Sequence, residues 1–245
     1  MSRPMPGDIT TARVREEYDE LAPVYEERWR TYTERSNEAT IRRVPVVPSM
    51  RLLDVGSGTG LLLSKIADRF PDAQLTGLDL SLAMALTARR SHGDRVSVVA
   101  ADAHRLPFED RGFDVVVSSS SIHFWSEPAD ALIEIRRVLR DDGTLVVTDW
   151  CSDYLACRLR DRYLRWRNPA YRPALSSAEI GALLARSGFE VTQLDRYRIS
   201  WIWGLMTVTA RPVRAIASLQ SAAKPEFWGA LIPGAHPVGF PASRR

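Results

Sequence analysis

From residue 51 onward, short apolar runs that end in glycine or an acid alternate with stretches in which apolar residues recur at helical spacing. Leu52–Val55 is the first run, closed by Gly56, and Leu61–Phe70 has the period of a helix. Gln74–Leu78 ends at Asp79, and Ser81 stands where it can cap a helix carrying Leu82, Ala83, Leu86 and Arg89. Val96–Val99 and Phe113–Val117 are two further strands. The second is nearly all apolar, as a strand buried on both faces is. Pro128–Leu139 sets Leu132, Ile135, Val138 and Leu139 on one side of a helix, Asp142-Gly143 makes a turn, and Thr144–Thr148 is a fifth strand. This alternation predicts an α/β fold: a doubly wound parallel sheet with helices on both faces.

The flanks read differently. Tyr18, Leu21, Ala22 and Tyr25 recur at i, i+3, i+4 and i+7, one face of an N-terminal helix, and Pro45 and Pro48 separate that region from the first strand. Asp153–Arg167 predicts a helix whose stripe of Leu155, Leu159, Tyr163 and Trp166 faces inward while most of its arginines face out. Ser176 and Glu179 have the spacing of a capping box, and Gly188 closes the helix that follows. Val191–Ser200 and Trp201–Thr209 leave no room for a helix between them and predict an antiparallel pair. Prolines at 212, 225, 233, 237 and 241 predict an irregular tail. The expected division is an N-terminal helical segment (1–50), a core (51–150), a helical cap (151–175), a last helix and strand pair that complete the core (176–210), and the tail (211–245).

Composition narrows the function classes. Hydrophobic residues are 45% and charged residues 26%, the balance of a globular domain. No apolar stretch is long enough to span a membrane, and the N-terminus lacks the apolar core of a secretory signal. Thirty-three Lys and Arg against 30 Asp and Glu leave a net charge of +3, too little to suggest nucleic acid as a partner. Only Lys65 and Lys224 are lysines, so lysine-based covalent chemistry is poorly supplied. Cys151 and Cys157 are too few for a disulfide framework or a full zinc cage, and no metal site is expected. A reducing, cytoplasmic setting fits best.

The candidate chemistry begins at Asp54-Val55-Gly56-Ser57-Gly58-Thr59-Gly60, between the first strand and its helix, where open α/β sheets bind ligands. The glycines allow close backbone approach to a ligand. Their spacing is G-x-G-x-G, and position 61, where a dinucleotide fingerprint has glycine, is leucine. Asp79 closes the second strand, 23 residues after Gly56, where an acid either accepts both hydroxyls of a ribose or caps the next helix. Asp102, after the third strand, either accepts an adenine amino group or is a solvated loop carboxylate.

The stretches D-V-G-S-G-T-G, G-L-D-L-S-L-A-M, A-D-A-H-R-L-P-F and F-D-V-V-V-S-S-S-S-I-H resemble, in order, the motifs of class I S-adenosylmethionine-dependent methyltransferases. The similarity is to the ubiquinone/menaquinone C-methyltransferase-like group, the type 11 methyltransferase domain, and covers about Tyr18–Thr148. It implies a Rossmann-like, seven-stranded sheet with the last strand antiparallel. It also implies that Asp54 and the backbone of Gly56, Ser57, Gly58 and Gly60 hold the methionine part of S-adenosyl-L-methionine. Asp79 would hold the ribose, Leu80 and Met84 would lie against the adenine, and Asp102 and Ala103 would flank its edge. Ser118 and Ser119 would meet the methionine end, and Tyr18 and Tyr25 would close over it. The group often has two adjacent histidines after the fourth strand; here the pair is His123-Phe124.

A sulfonium methyl is already activated, so the residual tasks are to align the nucleophile, exclude water and accept a proton. His123 is the candidate base, because its ordinary pKa of about 6.5 suits neutral pH. Trp29, Tyr154, Tyr163, Trp166 and Tyr171 are candidates to line an apolar or aromatic acceptor site, with Trp201, Trp203 and Met206 as further apolar wall or as core. Arginines 158, 160, 162, 165 and 167 either meet an anionic substrate or a membrane surface, or form a solvated face. The expected function is methyl transfer to carbon or oxygen of a small metabolite. The competing expectations keep the cofactor but catalyse a non-methyl reaction such as cyclisation, or bind it without catalysis. Oligomeric state is not legible.

Overall fold

A computed structural model describes residues 6–167 and 172–213, with backbone alone for residues 6–10 and 167. Tyr171 and the tail beyond Val213 lie outside the described residues. Among the described residues, seven strands form one sheet in the order β3-β2-β1-β4-β5-β7-β6. The strands are β1 (Arg51–Val55), β2 (Gln74–Asp79), β3 (Ser97–Ala100), β4 (Phe113–Ser119), β5 (Leu139–Trp150), β6 (Phe189–Arg198) and β7 (Gly204–Pro212). β1 to β5 pair in parallel, and β7 slots between β5 and β6 antiparallel to both. The sheet has the expected seven-stranded form with its last strand reversed. The strand order turns back between β1 and β4, so a crevice opens beyond their carboxyl ends.

Each face of the sheet buries its own apolar cluster. Leu53, Val55, Val116, Leu145 and Val147 pack with α5 (Pro128–Val138) and α7 (Ser177–Arg186) through Leu132, Ile135, Leu183 and Leu184. Leu52, Val115, Val117 and Val146 pack on the other side with α3 (Leu61–Arg69). Helix punctuation follows the sequence. Ser81 Oγ accepts from Met84 N at 3.0 Å at the start of α4 (Leu82–His92), and Ser176 and Glu179 form a complete capping box on α7. Gly188 follows α7 with φ +83°, a value glycine adopts without strain.

Several expectations are corrected. The N-terminal face is not one helix: Pro23 lies in a turn between α1 (Pro6–Leu21) and α2 (Tyr25–Ile41), because proline in a helix interior removes a donor. The two tyrosines still meet, ring centroids 6.0 Å apart. Asp142-Gly143 falls within β5, whose register against β4 shifts between Phe113 and Val115. Residues 199–203 are a loop, so Trp201 is 80% exposed, while Met206 in β7 is core. Strand β7 also takes in Arg211 and Pro212 from the expected tail. In α4 the buried side is Met84, Ala85 and Ala88, and Leu82 and Leu86 are exposed.

The largest correction concerns α6 (Leu155–Arg167). Its expected inward stripe faces out: Leu155, Leu159, Tyr163 and Trp166 are 63%, 58%, 53% and 78% exposed. The inward face is Cys157, Arg160, Asp161 and Leu164. Arg160 lies 4.1 Å from the Trp150 ring centroid and 4.7 Å from that of Trp203, and Asp161 Oδ2 accepts from Ala174 N at 3.0 Å. Polar contacts therefore outweigh the greasier stripe in setting the side of the helix that packs. The described residues up to Val213 fall in one compact unit. No helix among the described residues is long and apolar enough to cross a membrane.

Candidate functional site

The loop after β1 is built by three glycines in left-handed conformations, Gly56, Gly58 and Gly60, with φ of +79°, +55° and +79°. Gly56 N and Ser57 N both donate to Leu78 O, at 2.7 and 3.0 Å, which folds the loop over the end of β2. Gly58 N donates to Asp79 Oδ2 at 2.8 Å, and Ser81 N donates to Asp79 Oδ1 at 2.8 Å. A Cβ on Gly56 would stand 2.1 Å from Ser121 Oγ, so the loop after β4 crosses there. A Cβ on Gly58 would meet no atom within 4 Å: this glycine faces open space. A Cβ on Gly60 would press on Ala88 and His92 at 3.0 Å, which makes Gly60 a packing residue against α4.

Two hollows meet at this loop. One, of about 740 Å³, is lined by Leu80, Ala101, Asp102, Ala103, Tyr18 and Phe124, among others. The second, of about 450 Å³, runs to Asp54, Ser57, Thr33, Ser36, Asn37 and Glu26. Tyr25, Gly56, Gly58, Ser119 and Ser120 line both and form the seam. Helix α1 closes the larger hollow with Thr11, Val14 and Arg15, and it is fastened to α4 where Ser81 Oγ and Ala83 N donate to Asp19 Oδ1 at 2.5 and 3.1 Å.

The acids differ in environment. Asp54 is buried, and its Oδ1 has no hydrogen-bond partner among the described residues. Burial, and then the charge of Asp79, push its carboxyl up to about 8. Asp79 is pushed up to about 6 by burial, held back by the backbone N–H groups of Ser81 and Gly58. Asp102 lies below the usual carboxylate range because His104 Nδ1 pairs with its Oδ1 at 2.5 Å, and that bond raises His104 in turn. Burial lifts the Tyr25 hydroxyl to about 12 and raises that of Tyr18 well above its ordinary value, so both are neutral donors.

A second polar cluster adjoins the seam. His123 is buried, with Nδ1 2.7 Å from Asp149 Oδ1 and its ring stacked 4.1 Å from Trp150. A carboxylate only accepts, so Nδ1 carries the proton in the neutral ring, and Nε2, unpartnered, is an acceptor. Trp150 Nε1 donates to Tyr32 Oη at 2.7 Å, and Tyr32 Oη lies 2.7 Å from Ser120 Oγ. Indole is donor-only, so Tyr32 Oη accepts from Trp150, and between Tyr32 Oη and Ser120 Oγ either hydroxyl can donate. Ser120 has φ +58°, a strained value for a residue with a Cβ.

This geometry agrees with the comparisons to known proteins. Residues 53–147 match the model of a methyltransferase domain. Over those residues the chain carries a methyltransferase domain. It is 35% identical over 165 residues to a malonyl-[acyl-carrier protein] O-methyltransferase of Geobacter sulfurreducens, covering 60% of this chain and 58% of that one. It is 38% identical over 104 residues to a ubiquinone/menaquinone biosynthesis C-methyltransferase of Paracoccus denitrificans, covering 40% and 42%. The chain thus spans less than two thirds of these relatives. The fold is that of a Burkholderia thailandensis 1,6-didemethyltoxoflavin-N1-methyltransferase, with a TM-score of 0.67, 21% identity, and coverage of 87% and 94%.

Most of the residues that the methyltransferase motifs single out converge. Asp54, Gly56, Ser57, Gly58, Asp79, Leu80, Asp102, Ala103, Ser119, Tyr18 and Tyr25 all line the double hollow. Gly60, Met84 and Ser118 do not: Met84 and Ser118 are fully buried behind it. The aromatic candidates scatter. Trp29 stands against Tyr32 and Trp203 on α2, and Tyr154 packs on Gly204, where a Cβ would be 1.9 Å from its ring. Tyr163 and Trp166 are on the outside of α6, away from the cleft. Tyr32, Asn37, Ser120, Asp149 and Trp150 are the residues that sequence reading missed. Asp149 and Trp150 end β5, and that position at a sheet's carboxyl edge was their one available signal.

Proposed function

We propose that the chain transfers the methyl group of S-adenosylmethionine to a small apolar or aromatic acceptor. The observation that carries this reading is the double hollow, with a buried, unpartnered carboxyl oxygen of Asp54 at one end and Tyr18, Tyr25, Phe124 and Trp125 around the other. The residues fit the cofactor: Gly58 offers open space for it, and Asp54 lacks the donor that an α-ammonium supplies. In this reading Asp54 holds that ammonium, and the second lone pairs of Asp79 accept from the ribose hydroxyls. Leu80 covers the adenine, and Asp102 and Ala103 meet its edge. Ser119 and Ser120 stand at the seam. When bound, the cofactor supplies an electrophilic methyl on its sulfonium.

The chain's own part is to align the acceptor, keep water out and take a proton. Tyr18 and Phe124, 5.2 Å apart edge to face, form an apolar wall suited to a flat acceptor. His123 Nε2 is the proton acceptor in this reading, with Asp149 fixing the tautomer. Phe124 packs on both the imidazole, ring centroids 3.9 Å apart, and Tyr18, and Nε2 is buried, so the acceptor reaches it only when the side chains over it move. The same proposal puts the reaction in the cytoplasm, where the free thiols of Cys151 and Cys157 stay reduced.

Methyl-labelled S-adenosylmethionine offered with a panel of small phenols, quinols and fatty acids tests the reading. Label should enter an extractable small product with an equal amount of S-adenosylhomocysteine. Asp149→Asn and His123→Gln should lower turnover about 10²–10⁴-fold with cofactor affinity kept. Product formed without S-adenosylhomocysteine points to cyclisation and overturns methyl transfer.

A further inference from the structure

The outer face of α6 is a surface without a role in the cleft. Leu155, Leu159, Tyr163 and Trp166 form a stripe along its solvent side, each more than half exposed. Arg158, Arg162 and Arg165 run beside the stripe, all exposed. They line a shallow groove with Trp166, Pro173 and Ala174. Two acids border that groove, Asp161 and the exposed Glu179 of α7. Asp161, the only acid of α6, is turned inward, where it accepts from Ala174 N and pairs with Arg160. Glu179 accepts from Ser176 N and Oγ in its capping box. The exposed face of the helix therefore carries apolar and cationic side chains and no anionic one.

This is the arrangement of a helix that lies in a membrane interface: tryptophan and leucine on one side, arginines along the flank. A soluble partner's groove would also take the apolar stripe. The three arginines beside it outnumber the one exposed carboxylate of the groove, Glu179, and favour an anionic surface over a neutral or basic one. We propose that α6 docks the protein reversibly on anionic phospholipid bilayers, with Trp166, Leu159 and Leu155 at the acyl boundary and Arg158, Arg162 and Arg165 on the headgroup phosphates. The stripe spans three turns, so the anchor is a peripheral one.

Sedimentation of the full chain with vesicles tests the proposal, using phosphatidylcholine alone or with about a third phosphatidylglycerol. The protein should bind the anionic vesicles, weakly or not at all the neutral ones, and less as salt rises. Arg158→Gln, Arg162→Gln and Arg165→Gln should each weaken binding about fivefold. Leu159→Ser with Trp166→Ser should weaken it tenfold or more. Both side chains are on the surface, so the folded state is retained, which circular dichroism checks. The proposal is overturned by three results: no binding of the wild-type chain to anionic vesicles; equal binding by the variants; or a wild-type dimer that the Leu159→Ser, Trp166→Ser variant converts to monomer, which would make the stripe an interface between copies.

Discussion

Replacing Asp54 with asparagine keeps the shape of the side chain and removes its titration. The ligand-free carboxyl sits at about 8, because it is buried and faces Asp79, so at pH 7 about nine-tenths of the molecules carry it protonated. A cationic ammonium against Oδ1 favours the charged form and drives that proton off. Cofactor binding at pH 7 should therefore release close to one proton, falling to about half a proton at pH 8. Asp79, at about 6, is mostly ionised at pH 7 and adds little to the release. Calorimetry in two buffers of different ionisation enthalpy counts the protons directly. Asp54→Asn should abolish most of the release and weaken binding about 10–150-fold, the loss of one charge-assisted hydrogen bond of about 1.5–3 kcal/mol. The sign of the stability effect follows from the same pKa. A carboxyl raised on folding makes the folded state bind more protons, so the ligand-free wild type loses stability as pH rises from about 4 through 8. Asp54→Asn should flatten that slope. Equal proton release by the two proteins would refute the placement of the ammonium at Asp54.

Gly58→Ala meets no atom but carries the left-handed φ of +55°, so it should cost about 1–2 kcal/mol of stability and cut cofactor affinity tenfold or more; Gly58→Val should abolish binding, and normal affinity in either, with circular dichroism showing a folded chain, would make the loop purely structural. Tyr32→Phe removes the bond that orients Ser120 and leaves the Trp150 indole without an acceptor, so cofactor affinity should fall several-fold and stability by about 1–3 kcal/mol in chemical denaturation. An unchanged affinity would detach Ser120 from the ligand. Gly204→Ala should lower the melting temperature by several degrees, and Tyr154→Ala in the same chain should recover part of the loss, because the two collide at 1.9 Å.

What the sequence made legible was local. Strand, glycine turn and acid follow one another within a single βαβ unit, so the Gly56–Gly60 turn and Asp79 were readable from spacing as a ligand-binding edge, while the role of Asp54 came only with the family resemblance. The second cluster was not, because Tyr32 on α2, Ser120 after β4 and Trp150 at the end of β5 meet only in three dimensions. Helix α2 gave little periodic signal because much of its buried face is polar: Thr33, Ser36, Asn37 and Thr40 point at the sheet, and Thr40 Oγ1 donates to Thr148 Oγ1 at 2.7 Å. Helix α6 misled for the opposite reason. It has two plausible inner faces, and hydrophobic period selects the one with leucines. The cation stacking of Arg160 on Trp150 and Trp203, and the cap that Asp161 gives Ala174, select the other.

A crystal structure of the full chain with S-adenosylhomocysteine tests the central claim most directly. The predicted result puts the ligand's α-ammonium on Asp54 Oδ1, its ribose hydroxyls on Asp79 and its adenine between Leu80 and Ala103. A ligand seated elsewhere, or one that leaves Asp54 Oδ1 without a partner, would contradict the account.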